Sequence, residues 1–230
     1  MKNRSLFKAL MLVLLAAVLL TCAVNPVTGK RELMLLSEAD EVALGQQTDA
    51  EVIATYGLYE DAALTAYVAQ VGQKMTALSH RPGLKYSFKV LDTPVVNAFA
   101  VPGGYVYMTR GIMSYLNDEA ELAGVIGHEL GHVCARHTAT QYTRAQLAQV
   151  GLGLGSMLSE DFRKYAGIAS FGVNLLFLRF SRDNERQADD LGVEYSSKAG
   201  YDANAMAEFF NTLEQMDGSS SSSGLPEWFS

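Results

Sequence analysis

Among the 230 residues of this chain, His128-Glu129-Leu130-Gly131-His132 is the arrangement best suited to chemistry. Residues four apart on a helix share a face, so the two imidazoles can reach one divalent ion while the carboxylate between them points to one side. With only four histidines in the chain, the pattern arises by chance with a probability of about 0.4%. The flanking residues are apolar, and buried polar side chains need partners. A zinc ion here takes three protein ligands and keeps a fourth position for water. The chemistry implied is hydrolysis: the ion activates water and polarises a carbonyl, and Glu129, a general base rather than a ligand, takes and returns the proton.

A third ligand must be found. An extended motif would place Gly at position 135 and His at position 138, where the chain has Ala135 and Thr138. At about 100° per residue, His137 lies about 180° around the helix from His128 and about 140° from His132, so it is expected to face away. His80 precedes Arg81-Pro82-Gly83 in an expected loop and has nothing to single it out. Glu185 and Asp189 stand four apart in a polar, acidic segment that follows a long apolar stretch. A Glu-x-x-x-Asp pair is common, and alone it decides nothing.

The elements that must position these residues are legible in outline. Asn117 is a candidate N-cap, with Asp118, Glu119 and Glu121 near the positive end of the following helix. Leu122, Val125, Ile126, Leu130 and Val133 continue it at helical spacing. Ser37 to Thr76 reads as two helices broken near Tyr56-Gly57. Tyr86, Phe88 and Val90 alternate as in a half-buried strand, and Val95 to Arg110 reads as strand, Pro102-Gly103-Gly104 turn, strand. Ala145 to Phe180 suggests an apolar helical hairpin, whose Gly151-x-Gly153-x-Gly155 lacks the spacing and the preceding strand of a dinucleotide site. A last helix runs from about Asn204 to Met216, and the Ser-rich end, 218–230, reads as a flexible tail. The fold class expected is α+β, mainly helical, with a small sheet beside the active-site helix.

A formal charge of −7 without any Lys/Arg cluster excludes a general nucleic-acid binder. Lys2, Arg4 and Lys8 precede an apolar run from Ala9 to Val24 that as a helix reaches only about 24 Å, short of a bilayer core of about 30 Å. Residues 1–21 therefore read as an export signal rather than a permanent span. Leu19-Leu20-Thr21-Cys22 resembles a bacterial lipobox, although Thr21 stands where a smaller residue is usual; lipidation at Cys22 would anchor the chain to a membrane. Ala23 after the cysteine would, by that resemblance, permit sorting to the outer membrane. With Cys22 lipidated, Cys134 alone remains, and no intramolecular disulfide can form.

Several segments together resemble the gluzincin metallopeptidases related to HtpX and the CAAX prenyl protease: Asn25 to Gly29, Asn97 to Gly104, Thr109-Arg110-Gly111, His128 to His132, and Glu185-x-x-x-Asp189. The resemblance covers roughly residues 25 to 216. It implies a zincin-type metallopeptidase domain over 22–217 that holds one zinc ion per chain. It also implies that Glu185 is the third ligand beside His128 and His132, and that Asp189 is the hydrogen-bond partner of His128. It further makes Asn97, Ala98, Phe99, Gly103 and Gly104 an edge that binds extended peptide, with the glycines keeping the approach clear. The implied activity is endopeptidase cleavage of unfolded or misassembled cell-envelope proteins on the periplasmic side, with envelope assembly proteins as possible partners. A zinc-containing chaperone or binding module with little proteolysis is the alternative. Relatives continue past a segment like Leu225 to Phe229 into a His-Pro-containing stretch, so the chain ending at Ser230 is expected to be short of the family's full length.

Overall fold

The structure is a computed structural model that describes residues 22–156 and 180–217. The export signal at 1–21, the part of the apolar hairpin at 157–179 and the Ser-rich tail at 218–230 lie outside the described residues.

The first element is a small antiparallel ribbon, β1 (Cys22–Val24) with β2 (Arg31–Leu33). Its strands are too short for alternation to reveal them. What makes the turn is Asn25, whose Oδ1 accepts from the amides of Val27 and Thr28 at 2.9 and 3.2 Å. Helix α1 (Glu38–Tyr56) starts at a capping box in which Ser37 and Asp40 satisfy each other's amides, and it ends at Gly57 with φ 71°. Helix α2 (Ala62–Thr76) is capped by Asp61.

Three strands follow: β3 (Ser87–Leu91), β4 (Ala98–Val101) and β5 (Tyr105–Thr109). Their order is β3-β5-β4, with β5 central, parallel to β3 and antiparallel to β4. Thr109 closes β5 and caps the short α3 (Arg110–Met113). Helix α4 (Glu119–Cys134) comes next, and its N-cap is Asp118 rather than Asn117. Asn117 instead gives its backbone and side-chain amides to Glu121. Then come α5 (His137–Ser156), α6 (Arg182–Lys198) and α7 (Ala205–Asp217).

Every residue of α4 from Glu121 to Cys134 is buried, as befits a helix enclosed on all sides. It packs most extensively on α6 and also meets α7, α2, α5 and β4. Leu122, Val125, Ile126 and Leu130 join Val68, Met75, Met108, Ile112, Tyr195 and Phe209 in one core. The fold is thus mainly helical α+β, with α4 inserted between the sheet and α6. No helix among the described residues is long and apolar enough to cross a membrane.

Candidate metal centre

The contact between α4 and α6 is made by backbone. A Cβ on Gly127 would lie 2.8 Å from the Gly192 carbonyl oxygen, and one on Gly131 would lie 2.8 Å from that of Ala188. A Cβ on Gly192 would meet the His128 amide nitrogen at 2.8 Å. Small residues four apart on both helices therefore let the axes close to a separation that any larger side chain prevents. That approach carries Glu185 and Asp189 to the histidine face of α4.

Three donors converge there. Nε2 of His128 and Nε2 of His132 are 3.0 Å apart, and Oε2 of Glu185 stands 3.4 and 3.6 Å from them. Among the described residues these three form a group whose donor atoms all lie within 4.8 Å of one another. A tetrahedral zinc with bonds of about 2.0–2.1 Å separates its donors by about 3.3 Å, so two imidazoles and a carboxylate at these spacings fit that ion.

Each histidine has a partner on its other nitrogen. His128 Nδ1 is 2.8 Å from Asp189 Oδ1, so the ring donates to the carboxylate and presents Nε2 to the centre. His132 Nδ1 is 3.0 Å from Nδ1 of His137, whose Nε2 is 2.9 Å from Oε1 of Gln187. Phe180, just before α6, stacks on the His132 ring with centroids 4.3 Å apart.

The position of His137 corrects the helical-wheel expectation. It is buried against His132 instead of facing away, because α4 ends at Cys134 and Arg136 takes the left-handed φ of 57°. Beyond a left-handed residue, 100° per residue no longer applies. His80 is elsewhere: its Nδ1 is 2.7 Å from the Tyr195 hydroxyl.

The electrostatics favour positive charge amid the three donors. Burial works against protonated His128, but its bonds to Asp189 and Glu185 overcome this and raise it to about 9. Burial also opposes ionised Glu185, yet the two imidazoles draw it down to about 2. Burial takes His132 down to about 3 and holds His137 below its ordinary value. Glu129 lies beside the group and is not one of the three. Burial drives its carboxyl up to about 7; the charge of His128 lowers it, that of Glu185 raises it, and the Ala100 amide lowers it.

Of the expected peptide edge, Asn97 is tied to Thr109 through its amide and carbonyl. Ala98 is buried, and Phe99 stacks on Tyr107 with centroids 4.8 Å apart. The glycines are otherwise occupied. A Cβ on Gly103, where φ is 81°, would meet Val42 Cα at 2.8 Å, and one on Gly104, where φ is 90°, would meet the Lys85 carbonyl oxygen at 2.8 Å. Both residues are buried, and their bareness lets the turn dock against Val42 and Lys85. Cys22 is the first residue of β1.

Sequence reasoning passed over several of these residues. The Gly127/Gly131 and Ala188/Gly192 pairs carry a signal, small residues four apart, that could have suggested a close helix crossing. Gln187, Phe180 and the left-handed Arg136 carry none.

A profile of Peptidase family M48 matches residues 62–230. The chain is 33% identical over 161 residues to the putative beta-barrel assembly-enhancing protease of Vibrio cholerae, covering 66% of this chain and 33% of that one. It is 33% identical over 199 residues to the mitochondrial metalloendopeptidase OMA1 of Schizosaccharomyces pombe, covering 84% of this chain and 58% of the relative. To the metalloprotease YcaL of Escherichia coli it is 32% identical over 192 residues, covering 80% and 72%. The chain thus spans about a third of the length of its Vibrio relative. A match over this much of its own length shows that the chain belongs to Peptidase family M48, a family of metallopeptidases.

Proposed function

We propose that the chain is a zinc-dependent endopeptidase that cuts unfolded or misassembled envelope proteins. The observation that carries this reading is the convergence of His128 Nε2, His132 Nε2 and Glu185 Oε2, with the Glu129 carboxyl beside them. In this reading those three residues hold one zinc ion, and Asp189 orients His128 through its Nδ1–H. When bound, zinc supplies Lewis-acid activation of water and of the scissile carbonyl. Glu129 supplies the base. Burial raises its proton affinity, which suits a carboxylate that must accept a proton and later release it to the leaving amine.

The edge of β4 supplies the substrate's place. Among the described residues β4 pairs only with β5, so in this reading its other edge takes the extended peptide, and the Ala100 amide that helps lower the Glu129 carboxyl supports an edge near the base. Pairing through backbone selects extended chain more than side-chain sequence, which favours unfolded substrates. In this reading Asn97, Ala98 and Phe99 belong to the binding edge, and Gly103 and Gly104 to the turn that closes it. The name of the Vibrio relative, with its beta-barrel assembly, favours envelope assembly as the setting. Residues 1–21 as an export signal, lipidation at Cys22, a domain over 22–217 and a periplasmic position at the outer membrane complete the proposal.

The test is cleavage of an unfolded protein by wild type and Glu129→Gln, with zinc content measured for both. The variant is expected to keep its zinc and lose at least about 100-fold in rate. A zinc-loaded variant that cuts at the wild-type rate removes Glu129 as base. Chelation is expected to abolish cleavage and added zinc to restore it, so activity surviving a demonstrated loss of metal overturns the reading. A zinc-loaded wild type that binds unfolded protein without cutting it establishes the binding module instead.

A further inference from the structure

We infer that His137 is a positioning residue of the metal centre: its Nδ1 accepts the Nδ1–H of His132, and Gln187 holds it in the tautomer that does so. The inference rests on the zinc reading above.

The proton count gives the direction. If His132 presents Nε2 to the ion, the only proton of its neutral ring sits on Nδ1. That N–H points at Nδ1 of His137 across 3.0 Å, so this nitrogen must bring a lone pair. A neutral His137 then carries its proton on Nε2, where Oε1 of Gln187 waits as acceptor at 2.9 Å. Each link has one donor and one acceptor. The reverse direction fails, because a donating His137 would place the proton of His132 on Nε2, which faces Nε2 of His128 at 3.0 Å and could no longer bind an ion.

The arrangement is held from several sides. His137 is 4% exposed, so water does not compete for its nitrogens. The left-handed Arg136 that turns the chain back is fixed by its own side chain, with Nε 2.6 Å from Glu41 Oε1 and Nη2 2.8 Å from the Leu36 carbonyl. Phe180 lies against both rings, its centroid 4.3 Å from that of His132 and 5.8 Å from that of His137. Gln187 comes from α6, the helix that also carries Glu185, so the crossing that delivers the third donor delivers the end of this relay as well.

The two histidines are therefore oriented in unlike ways. His128 leans on a carboxylate whose side chain is 41% exposed, while His132 leans on a neutral pair, buried His137 and half-buried Gln187. A carboxylate in the second place would add a further buried negative charge close to Glu129 and Glu185.

Isotope-labelled histidine in the zinc-loaded wild type gives the first test. Long-range proton–nitrogen spectra are expected to show His132 protonated on Nδ1 and His137 on Nε2; a proton on His137 Nδ1 overturns the proposal. The second test is zinc affinity by competition with a chromophoric chelator, on variants shown to be folded by circular dichroism. His137→Leu is expected to bind zinc about 10–100-fold more weakly. His137→Asn, whose Oδ1 can take the place of Nδ1 as acceptor, is expected to keep most of the affinity. If His137→Leu does not fold, Gln187→Leu takes its place, with loss of the single His137 Nε2–H signal and weaker zinc binding expected, and an unchanged signal and affinity counting against the proposal. Zinc bound equally by wild type and His137→Leu overturns this proposal alone. A wild type that takes up no zinc overturns the zinc reading and this proposal with it.

Discussion

The two flanks of α4 are held by opposite means. Toward α6, the contact is backbone on backbone at Gly127, Gly131, Ala188 and Gly192, with no space for a further methyl group. Toward α1 and the N-terminal ribbon, long charged side chains hold it. Glu41, 1% exposed, receives Arg81 at 2.9 Å and Arg136 at 2.6 Å, and Arg81 also donates to the Val133 carbonyl at 3.0 Å. Asn25 adds a bond to the Ala135 carbonyl at 3.1 Å. One flank fails when an atom is added, the other when a charge is taken away. The difference suits the tasks: the α6 side sets distances between donor atoms, whereas the α1 side fixes where the helix ends and the chain turns back.

The largest effect is expected on the ionic flank. Glu41→Ala leaves Arg136 buried without its carboxylate and Arg81 with Glu38 alone, and urea denaturation is expected to show a loss of about 3–5 kcal/mol. A loss well below 1 kcal/mol would mean that water already compensates these charges. On the other flank, Gly131→Ala is expected to cost about 1–3 kcal/mol by overpacking. Because it pushes α6 and Glu185 away, it is also expected to weaken zinc binding in the molecules that remain folded, which Glu41→Ala should do far less. Zinc titrations of both variants break the comparison if the order is reversed.

Asn25→Ala removes one hydrogen bond to the end of α4 together with the turn it organises. A loss of about 1 kcal/mol in the same denaturation experiment is expected, and no change would separate the ribbon from the stability of α4. The smallest effect belongs to the start of the helix, where Glu119 accepts from Tyr201 at 2.7 Å and Tyr67 at 2.8 Å. The bond from Tyr201, then that from Tyr67, lowers its carboxyl below the usual 4.5. A lowered acid stabilises the fold fully above the unfolded value and ceases to as pH falls through the folded one. The urea midpoint difference between wild type and Glu119→Gln is therefore expected at neutral pH and to fade as pH falls below 4.5 through the lowered value. A difference that persists unchanged into acid would assign it to packing.

Local pattern made most helices legible. Those of α1, α2, α4 and α7 follow from apolar spacing, with α4 beginning one residue later than expected because Asp118 caps it. The β1–β2 ribbon was not legible, since three residues per strand carry too little alternation and its turn depends on one buried asparagine. The sheet was legible as strands but not as an order, because the parallel pairing of β3 with β5 is a long-range choice.

The same division runs through the centre. His128 and His132 need only the helix to share a face, so their spacing alone brings the two rings together. The sequence also determined a buried setting for them, through the apolar residues on every side of α4. Glu185 lies far along the chain, and only the glycine-lined crossing decides that its Oε2 stands 3.4 Å from one imidazole and 3.6 Å from the other. His137 is near in sequence and was still misplaced, because one left-handed residue between helices reverses the direction of everything after it. Periodicity describes a segment while its backbone repeats; where the repeat stops at Arg136, the position of the next side chain is set by Glu41, Leu36 and Gln187, residues that only the folded chain brings near.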